Sequence, residues 1–230
     1  MPKNKLKRYA DVEQLPNVTE VTEVGMEQPL PTDHWQGVFG LDTPRITLEL
    51  ACGKGEYTLA QARDFPDRQF IGLDIKGARI WVGAREAIAE GLSNVHFLRV
   101  WIDHLSNYFP PQSVEEIWIV FPDPYLREKH EMKRLTSPRF LEVYRKILKP
   151  GGVIHLKTDS PELFAFSLEQ IAAGHVKLLE RIDDVYAPNI IETKSEKSLS
   201  TPFHLFSVQT YYEKRHLRDG RTIRYLRLGF

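Results

Sequence analysis

The sequence predicts an α/β protein, a parallel sheet covered by helices on both faces, and three observations point there. Five short apolar runs, "ITLELA", "QFIGLDI", "VHFLRVW", "EEIWIVF" and "GVIHLKT", recur between residues 46 and 158. Helical stretches separate them, the alternation expected of βαβ units. The stretch "LKPGGV" reads as a helix stop and a turn that delivers the chain into the fifth run.

Taken in order, residues 1 to about 43 lack clear periodicity and contain several prolines, which predicts a basic tail and an irregular lead-in; the domain proper spans residues 44–230. Helices are expected from Tyr57, Gly77 and Pro138, with a shorter one near Asp103. After Thr158 come a helix, "SPELFAFSLEQIAAG", and an added strand, "HVKLLERIDDV". The polar segment "YAPNIIETKSEKSLSTPF" has little to pack and reads as a loop. One helix, "FSVQTYYEKRHLRDG", and one strand, "TIRYLRLGF", close the chain.

A length of 230 residues suffices for one large core. No apolar run nears the eighteen or so residues of a membrane span, and the charged opening "MPKNKLKRYADVEQL" has no apolar stretch behind it, so neither a membrane segment nor a secretory signal is expected. Cys52 is the sole cysteine, which excludes an internal disulfide and a cysteine-based metal site, and no metal is expected. The cytoplasm follows as the default compartment. Formal net charge is zero, yet charge acts locally because salt screens it over about 10 Å. The bases collect in three places: Lys3, Lys5, Lys7 and Arg8; Arg127, Lys129, Lys133, Arg134 and Arg139; and Lys214, Arg215, Arg218, Arg221, Arg224 and Arg227.

The stretch "LELACGKGEYTLA" is a strand, a glycine turn and a helix start, which lets backbone N–H groups approach a ligand closely. Gly53 and Gly55 supply the turn. A pyrophosphate-bearing dinucleotide calls for a third glycine where Thr58 stands, which disfavours a nicotinamide cofactor. Glu49, inside the strand, would repel a pyrophosphate but attract an ammonium. Asp74, ending the second strand, stands where a carboxylate accepts both hydroxyls of an adenosine ribose. S-adenosylmethionine, with a ribose, an ammonium and a sulfonium but no phosphate, fits. The blander alternative is a turn kept for close helix–sheet packing with Glu49 facing solvent. Cys52 reads as a packing residue, since no histidine lies nearby to activate it.

The fourth run ends in "FPDPYLREKHEMKRL". Pro122 and Pro124 restrict the backbone about Asp123. A carboxylate so held, at the strand end that faces the cofactor's reactive end, can accept a hydrogen bond from a planar base on which Tyr125 stacks. Arg127, Lys129, Lys133 and Arg134 would then meet phosphates on either side of the inserted nucleotide. A stiffened turn with a solvated aspartate, followed by a solvated basic face, is the alternative.

These stretches, with "KNKLKRYAD", "HLKTDSPELF" and "TYYEKR", occur together and in order, and the chain resembles the tRNA (guanine-N7-)-methyltransferase family from Lys3 almost to its end. The resemblance implies a Rossmann-like class I methyltransferase with a mostly parallel seven-stranded sheet, S-adenosylmethionine as cofactor, and a guanosine of the tRNA variable loop as substrate, in a monomer or a homodimer. It implies that Glu49, Asp74 and Asp123 contact the cofactor at the Gly53 and Gly55 turn, with Asp123 also catalytic, and that Arg127, Asp159, Thr210, Tyr211, Tyr212 and Glu213 bind the tRNA or its target guanine. The sequence departs from the family where an aspartate or asparagine followed by alanine usually meets the adenine: Trp101 and Ile102 stand in register, Trp101 taking the cofactor position. "PDPYL" replaces the usual "PDPWP", and Arg127 a common lysine.

The expected reaction is in-line transfer of the sulfonium methyl to guanine N7, which carries a lone pair and no proton and so needs no base to expose it. An exocyclic-amine methyltransferase is the nearest enzymatic alternative, because "FPDPY" is similar to the D/N-P-P-Y element of such enzymes. A non-catalytic RNA-binding subunit on the same fold is another, and a dehydrogenase a remote third.

Overall fold

The computed structural model describes residues 3–21, 29–188 and 204–230. It divides into two compact units, Met1–Trp118 with Lys146–Gly152, and Ile119–Arg145 with Val153–Phe230.

The first unit opens on elements where an irregular lead-in was expected: α1 (Lys3–Val12), β1 (Val18–Glu20) and α2 (His34–Phe39). The residues Val18 to Glu20 carry enough β-forming character to add a short strand beside β4 (Val95–Arg99), parallel to it. Val12 of α1 is fully buried, and α1 packs on α4 (Gly77–Ala89). Then come β2 (Ile46–Leu50), α3 (Glu56–Asp64) and β3 (Gln69–Asp74), and the parallel ladder runs β1-β4-β3-β2. All five residues of β2 and all six of β3 are buried, the near-continuous apolar reading of a strand covered on both faces. A 3-10 turn, Ile102–Asn107, follows β4 where a short helix was expected.

Strand β5 (Val114–Val120) begins in the first unit and ends in the second. The second unit holds a 3-10 turn (Glu128–Lys133), α5 (Pro138–Ile147, but for its last two residues), most of β6 (Leu148–Thr158), α6 (Pro161–Ala172), β7 (Lys177–Ile182), α7 (His204–Ser207), α8 (Tyr211–Arg218) and β8 (Arg224–Gly229). β8 lies antiparallel to both β6 and β7. β6 starts directly after α5, so "LKPGG" is a bend inside the strand, where Gly151 takes φ 78°.

The single helix expected over "FSVQTYYEKRHLRDG" is two. Thr210 is extended, and its hydroxyl accepts the Glu213 N–H at 3.2 Å, so it caps α8 and ends the helical run before it. The polar loop expected after Tyr186 lies, from residue 189 to 203, outside the described residues, as do the side chains of Lys3, Lys5 and Lys7. Eight strands are described against the seven expected, the additional one being β1. Among the described residues no helix is long and apolar enough to cross a membrane.

Candidate functional site

In the first unit the turn after β2 holds three left-handed residues in five: Ala51 at φ 57°, Gly53 at 60° and Gly55 at 71°. Only glycine takes that conformation freely, so Ala51 stores strain at the strand end. The turn is tied to β3 by the Cys52 N–H on the Leu73 carbonyl at 2.9 Å. Beneath it lies the ring of Phe97, fully buried. A Cβ added at Gly55 would come within 2.6 Å of that ring, and one at Gly72 within 2.9 Å. Gly83 of α4 completes the cradle: its Cβ would run into the Lys54 carbonyl and stand 2.8 Å from Phe97. Gly83 thus brings a helix against the turn from α4, twenty-five residues beyond Thr58, where a dinucleotide site would carry its third glycine.

Glu49 does not face solvent. It is buried, and its Oε2 accepts the Thr58 N–H at 2.8 Å and the Thr58 hydroxyl at 2.5 Å. Thr58 lies in the first turn of α3, whose backbone donors have no partner in the helix, so Glu49 satisfies one of them. Burial pushes its carboxyl from an ordinary 4.5 up to about 8, against the pull of the Thr58 bonds, and Glu56 and Asp74 add repulsion. A cation would relieve that cost. Asp74, also buried, accepts the Gly53 N–H at 2.9 Å on Oδ2 and the Lys76 N–H at 2.8 Å on Oδ1. Trp101, two residues beyond β4, is 43% exposed. Because β2, β3 and β4 are parallel, Asp74, Trp101 and the glycine turn share the carboxyl edge of this ladder, where open α/β sheets take ligands. Burial pushes the Cys52 thiol well up, and Cys52 packs in the core that includes Phe97.

Sequence reasoning missed a further group on this edge. Arg99 donates to the Ile75 carbonyl at 3.2 Å, pairs with Glu20 of β1 at 3.0 Å and lies 5.0 Å from the Tyr9 ring of α1. It ties the lead-in to the chain just past Asp74. The only signal in sequence was the β-forming residues around Glu20.

In the second unit, Asp123 is exposed, and its Oδ1 accepts the Tyr125 N–H at 3.0 Å. Two non-glycine residues flank it in the left-handed region, Phe121 at φ 49° and Tyr125 at φ 43°. Each costs on the order of 1–3 kcal/mol. The Phe121 N–H donates to the Lys157 carbonyl at 2.9 Å, so Asp123 and Asp159 each stand two residues past one interstrand bond. Arg127, Lys129 and Lys133 are exposed on the segment that follows. Arg134, expected beside them on phosphates, is not: it is buried, and both arms of its guanidinium grip carbonyls of the turn.

Asp159 pairs with Arg221 at 2.7 Å and lies 3.4 Å from His216, whose ring packs on Phe121 at 5.6 Å. The Thr210 to Glu213 element splits in two. Tyr211 and Tyr212 are 57% and 46% exposed, edge to face at 5.6 Å. Thr210 is buried as the cap of α8. Glu213 is wholly buried: Oε1 pairs with Lys157 at 2.6 Å and accepts the Tyr186 hydroxyl at 2.7 Å, while Oε2 is buried without a hydrogen-bond partner among the described residues. Burial lowers the Lys157 ammonium, an effect Glu213 opposes.

Over 99% of its length the chain is 41% identical to a tRNA (guanine-N(7)-)-methyltransferase of Bacteroides thetaiotaomicron, 86% of which is covered. The chain belongs to the tRNA (guanine-N7-)-methyltransferase family. Another member, from Christiangramia forsetii, is 39% identical over 98% of this chain and 97% of its own. The family model described as "Putative methyltransferase" matches residues 43–226. Among solved structures, the 16S rRNA methyltransferase KamB superposes with TM-score 0.61 at 18% identity, over 91% of this chain and 96% of that one. An antibiotic-related methyltransferase superposes with TM-score 0.60 at 17% identity, over 86% of this chain and 93% of that one. The methyltransferase fold expected of the family is therefore the fold of this chain.

Proposed function

We propose that this methyltransferase moves the methyl group of S-adenosylmethionine to N7 of a guanosine in the variable loop of tRNA, in the cytoplasm, with residues 44–230 as its methyltransferase domain. The observation that carries the reading is Glu49, a buried carboxylate at the glycine turn that burial holds near pKa 8 and that a cationic ligand would ionise. A phosphate there would meet two acids, Glu49 and Asp74. The ammonium and ribose hydroxyls of S-adenosylmethionine suit both.

In this reading Glu49 attracts the ammonium, Asp74 takes the ribose hydroxyls, and Gly53 and Gly55 keep the turn low enough for the ligand to lie over it. Trp101 offers an exposed ring for the adenine. Bound there, S-adenosylmethionine would supply an electrophilic methyl to guanine N7, with the sulfonium as leaving group. Asp123 and Asp159 accept hydrogen bonds from the guanine N1–H and amine and so stabilise the charge that develops on the purine. Asp123 is the catalytic residue of this reading, and alignment supplies the rest of the rate. Arg127, Lys129 and Lys133 meet phosphates; Tyr211 and Tyr212 offer faces to unstacked bases. The role for Thr210 and Glu213 is support, since both are buried.

Nucleoside mass spectrometry of unmodified tRNA incubated with the protein and methyl-labelled S-adenosylmethionine tests this. The expected product is 7-methylguanosine. Label on an exocyclic amine would establish the other enzyme class, and no binding of labelled cofactor would favour the RNA-binding subunit.

A further inference from the structure

The turn around Asp123 holds a shape that its own residues do not favour. Phe121 and Tyr125 stand at φ 49° and 43° without being glycine, and such backbone persists only where its surroundings over-determine it. Asp123 contributes one bond, to the Tyr125 N–H. On the other side of the turn, Arg134 Nε donates to the Pro124 carbonyl at 3.0 Å and Nη2 to the Tyr125 carbonyl at 3.1 Å. The guanidinium lies 4.5 Å from the centre of the Phe166 ring of α6. Arg134 is 8% exposed, so phosphates cannot reach it as they reach a surface base.

The geometry points to Arg134 as a positioning residue: its planar fork locks the two carbonyls after Asp123 and thereby aims that carboxylate at the target base. This rests on the methyl-transfer reading above. A lysine in its place keeps the charge but, as a point donor on a flexible stem, cannot hold two carbonyls at a fixed angle. A phosphate contact would tolerate that exchange; a positioning role does not.

The test compares the full-length wild type with R134K and R134Q. Three quantities are read: the single-turnover rate of 7-methylguanosine formation at saturating tRNA and cofactor, tRNA affinity across salt concentrations, and S-adenosylmethionine affinity by calorimetry. R134K is expected to lose at least tenfold in rate while both affinities stay within threefold. A wild-type rate in R134K overturns the inference. So does a fall in tRNA affinity at unchanged rate, with the salt slope of R134Q reduced by about one, the mark of a lost phosphate contact. Should both Arg134 variants fail to fold, F166L removes only the ring under the guanidinium. The same loss of rate, smaller and without loss of tRNA affinity, is then expected, and a wild-type rate in folded F166L overturns the inference. A wild type that forms no 7-methylguanosine overturns the methyl-transfer reading, and the inference with it; an active wild type with an unaffected R134K overturns the inference alone.

Discussion

The carboxylates of the glycine turn and the carboxylate of the proline turn are anchored by opposite means. Glu49 and Asp74 are buried, and backbone N–H groups hold them in place. Asp123 is exposed with one backbone donor, and strained neighbours hold its turn. On the reading proposed above, the acids for a small cation are buried and held by backbone donors, whereas the one for a base arriving on a long polyanion is exposed and is aimed by its backbone. In the second unit the buried polar contacts form a supporting layer of their own: the Lys157–Glu213 ion pair and the hydrogen bonds of Arg134 to the turn carbonyls.

The largest expected effect concerns that buried layer. E213A leaves the Lys157 ammonium uncompensated in a fully buried position, a loss of about 3–5 kcal/mol in unfolding free energy by denaturant titration. If E213A instead kept its stability and lost only tRNA affinity, Glu213 would belong with the substrate contacts and the contrast between layers would fail.

Next comes Asp123 itself. D123A is expected to lower single-turnover methylation by about a hundredfold or more, the scale of removing one group that stabilises developing charge, while tRNA affinity stays within a few-fold. Near-normal turnover would show that an open, strained turn can serve a purpose other than catalysis.

For the buried acid the sharper measurement is pH. Glu49 holds a proton up to about 8 in the free protein, and a bound ammonium favours the ionised form, so cofactor binding should release a proton. Affinity for S-adenosylhomocysteine should rise about tenfold from pH 6 to pH 7, and E49Q should flatten that slope. The same shift has a stability sign. Between pH 4.5 and about 8 the folded chain keeps a proton that the unfolded chain has released, so the free wild type should lose stability as pH rises through that window, while E49Q should not. A slope of opposite sign would mean that Glu49 is ionised in the free protein.

The smallest effect is at the exposed pair. Y211A and Y212A should each weaken tRNA binding by about 1–3 kcal/mol, at the lower end of that range, without changing the melting temperature. Loss of stability with intact binding would move the two rings from the open layer to the supporting one.

Much of this was legible in sequence where one residue type has one physical use. The acids Glu49, Asp74 and Asp123 and the turn glycines stood out because each lies at or just beyond the last residues of an apolar run, and β2, β3 and β5 end where those runs end. Burial was not legible. Arg134 and Arg127 look alike in a basic run, and only the fold shows that one grips backbone while the other is exposed. Thr210 and Glu213 resembled a substrate element, yet Thr-x-x-Glu before a helix is also a capping pattern, and the hydroxyl-to-backbone bond seen here follows from that spacing alone. Gly83 was hidden because its partner, the Lys54 carbonyl, is remote in sequence and belongs to backbone.

Phe97 bears on how this chain can vary. Its ring touches the space that a methyl group would need at Gly55, Gly72 and Gly83 at once, so a single alanine at Gly72, where the backbone itself is permissive, is blocked by the ring and by the Cys52 sulfur rather than by conformation. A smaller side chain at residue 97 would lift the ring's part of that block. The tolerance of Gly72 is therefore set by side chains remote in sequence, whereas Gly55 is held to glycine by its positive φ and Gly83 by the Lys54 carbonyl as well as by the ring.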